Sequence, residues 1–278
     1  MASKANILDA LTGVTKPVIG MIHALPTPGS PRARSCSIDA LIEHGLAEAG
    51  RLKQGGVDAL LIENAGDVPF RRPENIGFET VSAMSVLGRA VVDEFDLPVG
   101  FNIVANAAKA SLACAKAAGA GFIRVNQWAN AYVANEGLID GAAAEALRFR
   151  AWIDGDDIAI MADVHVKHGS HAIVADRSIV EQARDVAFFQ ADVAIATGLR
   201  TGHAADAREI SLIREGGQLP TIVGSGVTPE NAAEILDRAD GAIVGVSFKD
   251  NGTMWDITNV DRVQRLMDTV RKIRQDST

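Results

Sequence analysis

Pro220-Thr221-Ile222-Val223-Gly224-Ser225-Gly226-Val227-Thr228-Pro229-Glu230-Asn231 is followed, after one helical pattern, by Ala242-Ile243-Val244-Gly245-Val246-Ser247-Phe248-Lys249. Each stretch opens as a short apolar strand and runs into glycine and serine. In the first, Gly224 and Gly226 carry no Cβ, so their backbone N–H groups can approach an anion closely, and a helix is expected from Thr228 with Pro229 at its first position. A tight turn alone is the competing reading of one such loop. Two of them in succession near the end of an α/β chain match the phosphate site that a (β/α)8 barrel builds after its last two strands. Gly224, Ser225, Gly226, Gly245, Ser247 and Lys249 are therefore the expected phosphate-binding residues.

Outward from this pair, apolar runs suited to burial on both faces alternate with helical patterns, the mark of a parallel sheet covered by helices. The pattern predicts strands at 18–23, 59–63, 99–103, 122–125, 158–164, 193–196, 221–223 and 242–244. Ile38, Leu41, Ile42 and Leu46 mark the first intervening helix, and Val260, Val263, Leu266, Met267, Val270 and Ile273 the last. Eight strands suit closure, whereas an open doubly wound sheet has fewer and an early G-x-G-x-x-G turn, which is absent. The expected fold is α/β, a single (β/α)8 TIM barrel over residues 1–278, with extended βα loops after strands 1, 2 and 4, at 24–37, 64–78 and 126–140. Barrel enzymes build their sites on such loops.

Hydrophobic residues make up 47% of the 278, enough for one large core. A formal net charge of −8 disfavours nucleic acid as a partner but leaves room for one phosphate held by backbone dipoles. Arg32, Arg34, Arg71 and Arg72 form the densest basic cluster and suit a solvated loop. With only Cys36 and Cys114, no disulfide framework is implied, and a reducing, cytoplasmic location is expected. No run reaches the roughly 18 apolar residues that a membrane span needs, and no secretory segment is expected. Barrel helices commonly mediate symmetric assembly, so a homo-oligomer is expected.

The strand ends supply a polar set. His23 closes the first strand, Glu63 and Asn64 the second, Asn102 lies on the third, and Arg124 and Asn126 end the fourth. Glu63 directly follows Ala59-Leu60-Leu61-Ile62, and a carboxylate there needs either a task or a salt bridge inside the barrel. Arg124 either steers a substrate or pairs with Glu63 or Asp163. In Met161-Ala162-Asp163-Val164-His165-Val166-Lys167-His168, alternation is expected to put Asp163, His165 and Lys167 on one face. Asp163 then orients His165 as a general acid or base, or the two ligate a divalent metal with His23 or Glu63. No other cofactor is expected. His168 and His171 are read as solvated loop residues and His44 as structural. The loop Ala196-Thr197-Gly198-Leu199-Arg200-Thr201-Gly202-His203 offers Thr197 as a ligand donor. The sixth strand carries no lysine, which argues against a Schiff-base aldolase of the common type.

Together these stretches resemble the BtpA/SgcQ family of barrel proteins. The likeness is carried by Val18-Ile19-Gly20-Met21-Ile22-His23-Ala24-Leu25-Pro26, Gly56 through Glu63-Asn64, Asp67-Val68-Pro69-Phe70, Ile123-Arg124-Val125-Asn126, and Asp163 through His168. Thr197-Gly198, Thr201-Gly202, Gly224-Ser225-Gly226-Val227 and Ser247-Phe248-Lys249 complete it, so it covers nearly the whole chain in order. The resemblance implies membership of the wider set of ribulose-phosphate-binding barrels. Its members include a factor for photosystem I accumulation in cyanobacteria and products resembling sugar-utilisation clusters. The photosystem role is not carried over, because nothing in the chain marks a thylakoid protein.

The expected function is an enzyme acting on a phosphorylated sugar or ribose-phosphate-like small molecule. Glu63, Asp163 and His165 would carry acid–base chemistry, and His23, Asn64, Asn102, Arg124, Asn126, Lys167 and Thr197 would contact substrate. Isomerisation, bond cleavage by a lyase and glycosidic hydrolysis all suit this set. The rival readings are a non-catalytic assembly factor using the barrel as a scaffold and a metal-dependent hydrolase.

Overall fold

Val18-Ile19-Gly20-Met21-Ile22-His23 shows how the molecule is organised: Ile19 and Met21 face the barrel axis, while Val18 and Ile22 face the surrounding helices. The computed structural model describes residues 7–198, 200, 202 and 205–276. Its strands are β1 (Val18–His23), β2 (Ala59–Glu63), β3 (Val99–Asn102), β4 (Phe122–Val125), β5 (Ala131–Ala134), β6 (Gly137–Asp140), β7 (Ala159–Asp163), β8 (Val193–Ala196), β9 (Thr221–Val223) and β10 (Ala242–Val244). β5 and β6 form an antiparallel hairpin, and the other eight close in the order β1-β10-β9-β8-β7-β4-β3-β2. The helices are α1 (Ile7–Thr12), α2 (Ile38–Gly55), α3 (Phe78–Glu94), α4 (Ala108–Ala118), α5 (Ala143–Trp152), α6 (Ile179–Phe188), α7 (Ala207–Gly217), α8 (Ala232–Arg238) and α9 (Val260–Asp276). One helix from α2 to α9 follows each barrel strand, and among the described residues none is long and apolar enough to cross a membrane.

The eight expected strands are all present, with the third and fifth slightly shorter than expected. β3 stops at Asn102 because the Ile103 N–H turns to the Ser111 hydroxyl, 2.9 Å away, instead of a neighbouring strand. Inside the barrel Leu61, Phe122, Met161, Ile195, Ile222 and Ile243 fill the axis, and Leu8 of α1 closes its lower end. Phe122 fits because Gly100 lies opposite it: a Cβ on Gly100 would sit 2.3 Å from the ring. Burying a side chain of this size is worth about 2–3 kcal/mol, so the axis is a packed core rather than a channel.

One helix start differs from expectation. Residues 229–231 form a turn and α8 begins only at Ala232. The Asn231 side chain braces the loop ahead of the helix: its Oδ1 accepts from the Thr228 N–H at 2.8 Å and its Nδ2 donates to the Gly226 carbonyl at 2.9 Å.

The segment after β10 is tied to α2 by a buried ion pair. Lys249 Nζ meets Glu48 Oε2, with side chains 1% and 0% exposed. The Thr258 hydroxyl donates to Glu48 Oε2 at 2.7 Å, and the Thr258 N–H and Arg51 donate to Oε1 at 3.1 and 2.9 Å. Burial pushes the Glu48 carboxyl up, but Lys249 and Thr258 outweigh it and hold it below the ordinary range. Removing one partner strands a buried charge. Lys249→Met should therefore lower stability to urea unfolding by about 3–5 kcal/mol, and adding Glu48→Leu should restore most of the loss.

Candidate active site at the mouth of the barrel

The inward side chains of each strand are apolar until its C-terminal end and polar there. His23 pairs in register with Glu63, and Glu63 with Asn102, while Arg124 and Asp163 end the inward rows of β4 and β7. The same parity brings Thr197, Gly224 and Gly245 inward just beyond β8, β9 and β10. Above this ring lies a pocket of about 480 Å³, bounded by His23, Glu63, Arg124, Lys167 and the two glycine-rich strand ends.

Arg124 and Asp163 form a buried bidentate pair, with Nε and Nη2 donating to the two carboxylate oxygens at 3.0 and 2.9 Å. Burial opposes the guanidinium charge, but Asp163 outweighs it and keeps Arg124 firmly protonated. Asp163 is thus committed to holding Arg124. Glu63 differs: Asn102 donates to its Oε2 at 2.8 Å, yet burial still pushes its carboxyl above the ordinary range despite Arg124 and Lys167. His23 is driven down to about 3 by burial and by the charges of Lys249 and Lys167, so its ring is neutral. His23 Nδ1, Asn102 Oδ1 and Asn126 Oδ1 are buried without a hydrogen-bond partner among the described residues. At this mouth a polar ligand or water can satisfy these atoms.

Gly224, Ser225, Gly226, Gly245 and Ser247 form the stretch of wall beside Arg124 and His23. Gly226 sits at φ 75°. A Cβ on Gly224 would lie 3.2 Å from Arg124 Nη2, and one on Gly245 would lie 3.0 Å from His23 Cε1. The glycines therefore let charged and aromatic side chains press against this backbone, besides leaving it open to a ligand. Ser225 is engaged structurally, its Oγ accepting from the Gly202 N–H at 2.9 Å.

Several expected site residues lie elsewhere. β7 ends at Asp163, and the irregular chain beyond it breaks the alternation that was expected to align Asp163, His165 and Lys167. Lys167 enters the pocket. The His165 ring instead packs 3.8 Å from that of His171, with Nδ1 3.8 Å from Glu209 Oε1, and burial beside His171 lowers it to about 4. It borders separate cavities beside α6 and α7. Lys249 is held by Glu48 and does not line the pocket, because the turn after Gly245 carries it behind the barrel wall. Asn64 braces a loop, its Oδ1 accepting from the Val104 N–H at 2.8 Å and its Nδ2 donating to Asp67 at 2.9 Å. The Thr197 hydroxyl donates to the His165 carbonyl at 3.0 Å. His171 is not a solvated residue, since it stacks on Tyr132 and its Nε2 lies 2.8 Å from the Val166 carbonyl. Leu199, Thr201 and His203 lie outside the described residues.

The proposed metal set does not fit. Asp163 is taken by Arg124, Glu63 by Asn102, and His165 is turned away; among the described residues no three His, Cys, Asp or Glu side chains converge on a metal position. The β5–β6 hairpin escaped the strand reading, although Asn135-Glu136-Gly137 between two short apolar runs is its turn signal. It brings Tyr132, Asn135 and Glu136 to the pocket.

The model of the BtpA family matches residues 14–272. The chain belongs to the BtpA family. An uncharacterized protein of Archaeoglobus fulgidus is 38% identical over 252 residues, covering 91% of this chain and 97% of its own. The photosystem I biogenesis protein BtpA of Synechocystis is 33% identical over 260 residues, covering 91% of this chain and 88% of its own. Among solved structures, N-(5′-phosphoribosyl)anthranilate isomerase from Pyrococcus furiosus superposes with a TM-score of 0.56 at 13% identity, over 92% of this chain and 99% of that one. This last likeness shows a shared barrel fold.

Glu63 makes this BtpA-family site costly to hold. With its carboxyl raised in the folded state, the penalty is complete at pH values above the folded pKa and vanishes below the unfolded one, about 4.3. Glu63→Gln should therefore raise the melting temperature at pH 7, with the gain shrinking as pH falls through the carboxylate range, as scanning calorimetry at several pH values would show.

Proposed function

We propose that this protein is an enzyme that binds a phosphorylated sugar or ribose-phosphate-like small molecule in the barrel mouth and acts on it by acid–base chemistry. The observation that carries this reading is that one pocket joins a glycine-rich backbone stretch to a set of acid–base side chains. The N–H groups of Ser225 and Gly226 and the Gly245–Ser247 turn line it beside Arg124, and Glu63 and Lys167 line it as well. The donor wall would anchor the phosphate, and that anchoring would set the carbon skeleton against Glu63. Glu63, with its raised pKa, suits a group that both gives and takes a proton. Arg124, aimed by Asp163, would stabilise an oxyanion that forms as the proton leaves. The name of the phosphoribosylanthranilate isomerase among its structural neighbours supports a phosphorylated substrate. A cytoplasmic homo-oligomer is part of the same reading, supported by the two free cysteines and by the exposed aromatic residues Phe78, Trp152 and Phe188.

A second reading, a non-catalytic assembly factor, is favoured by the name of the Synechocystis relative. Buried charge gathered at the mouth counts against it, since a scaffold gains nothing from the cost of desolvating Glu63.

A thermal-shift comparison of ribose 5-phosphate and dihydroxyacetone phosphate with their unphosphorylated counterparts tests the reading. A ligand at a hundred times its Kd adds about 2.7 kcal/mol, or roughly 5 °C for a chain of this size. Phosphorylated compounds alone should produce the shift, and Ser247→Asp, which sets a negative charge on the donor wall, should abolish it. Equal shifts with and without phosphate would contradict the phosphate wall. Ser247 is the better probe than Gly226, whose φ of 75° would strain any replacement.

A further inference from the structure

The fully buried cations Arg124 and Lys249 each have a carboxylate partner, Asp163 and Glu48. Lys167, which reaches the same mouth, has no carboxylate within ion-pair distance among the described residues, although Glu63 and Asp163 act on it from further away. Its backbone is held with care. The chain reverses at His168, whose φ is 66°. Gly169 packs beneath Tyr132, where a Cβ would lie 2.4 Å from the ring, and Ser170 exchanges two backbone hydrogen bonds with Val133 at 3.0 and 2.8 Å. The hairpin thus clamps residues 168–170 and fixes where Lys167 enters the pocket. Burial and the nearby Arg124 lower Lys167 to about 8, against the opposing pull of Glu63 and Asp163, so roughly a tenth of the amine is free at pH 7.

We propose that Lys167 is a nucleophile that forms an imine with an aldehyde or ketone of the substrate, so that the substrate class is a phosphorylated carbonyl compound. This rests on the phosphate-anchored reading above and narrows it. In the step, the free Nζ lone pair attacks the carbonyl carbon, the C=O π pair moves to oxygen, and a proton passes from nitrogen to that oxygen to give a carbinolamine. When it holds a proton, the Glu63 carboxyl gives it to the hydroxyl, which leaves as water while the nitrogen lone pair forms the C=N⁺ bond. Glu63, now a carboxylate, can take the proton from the adjacent carbon, whose electron pair flows into the iminium. Water reverses the sequence and returns free Lys167. The absence of a lysine on the sixth barrel strand does not exclude this chemistry, because the amine arrives from the loop after the fifth, β7.

The test is reductive trapping. Protein is incubated with ribose 5-phosphate or dihydroxyacetone phosphate and sodium cyanoborohydride, with ribose and dihydroxyacetone in parallel, and then mapped by peptide mass spectrometry. One adduct is expected on Lys167, of the compound's mass less one oxygen, forming about ten times faster with phosphate than without. Its rate should rise with an apparent pKa near 8. Lys167→Met should lose the adduct while still showing a phosphate-dependent thermal shift, reduced by the loss of the imine and of the Lys167 contact. Stabilisation without an adduct, or labelling spread over surface lysines, would overturn the imine while leaving the phosphate-binding reading in place. No stabilisation by either compound would overturn that reading and the imine with it.

Discussion

In a closed eight-stranded barrel every second residue of every strand points to the axis, and the axis is too narrow for anything but packed side chains. That constraint orders the rest of this molecule. Ile19, Leu61, Phe122, Met161, Ile195, Ile222 and Ile243 satisfy it below. At the upper end the same rows deliver His23, Glu63, Asn102, Arg124 and Asp163 to one small volume, where they must be paired, neutral or in use. No loop has to fold in to bring them together.

The mouth resolves its charges unequally. Arg124 and Asp163 neutralise each other at hydrogen-bond distance, and His23 gives up its proton. Glu63 and Lys167 are left with perturbed pKa values of opposite sense, one raised and one lowered, each displaced mainly by burial. Two groups whose proton affinities are brought toward each other in one pocket are suited to exchanging protons with a bound molecule. By contrast, Lys249 and Glu48, equally buried, are pinned by Thr258 and serve the packing of the chain's last segment against α2.

Much of this was readable in the residues. The strands and the inward position of Glu63, Asn102, Arg124 and Asp163 follow from apolar runs and period-two alternation, which hold wherever a strand is paired on both sides. The failures fall where that pairing stops. Extending alternation past Asp163 placed His165 in the mouth, whereas the unpaired chain turns it toward His171 and Glu209. Placing Lys249 at the phosphate site missed the turn at Val246–Phe248 that carries it to Glu48. Asn231 looked like a residue inside a helix, but its amide holds the preceding loop. The hairpin over the mouth was hidden by its short strands. Local pattern carries no information about the bridge from Val133 to Ser170 that seats it.

The central claim is that the glycine wall of the mouth takes the phosphate while Glu63 and Lys167 face the reacting carbon. A crystal structure of the protein with ribose 5-phosphate tests it most directly. The account predicts the phosphate against the backbone N–H groups of Ser225 and Gly226 and between Gly245 and Ser247, since the Gly224 N–H is held by the Ala196 carbonyl at 2.8 Å, with the sugar carbons extending toward Glu63 and Lys167. A phosphate seated on Lys167, with the N–H groups of the glycine wall free of it, would contradict the account.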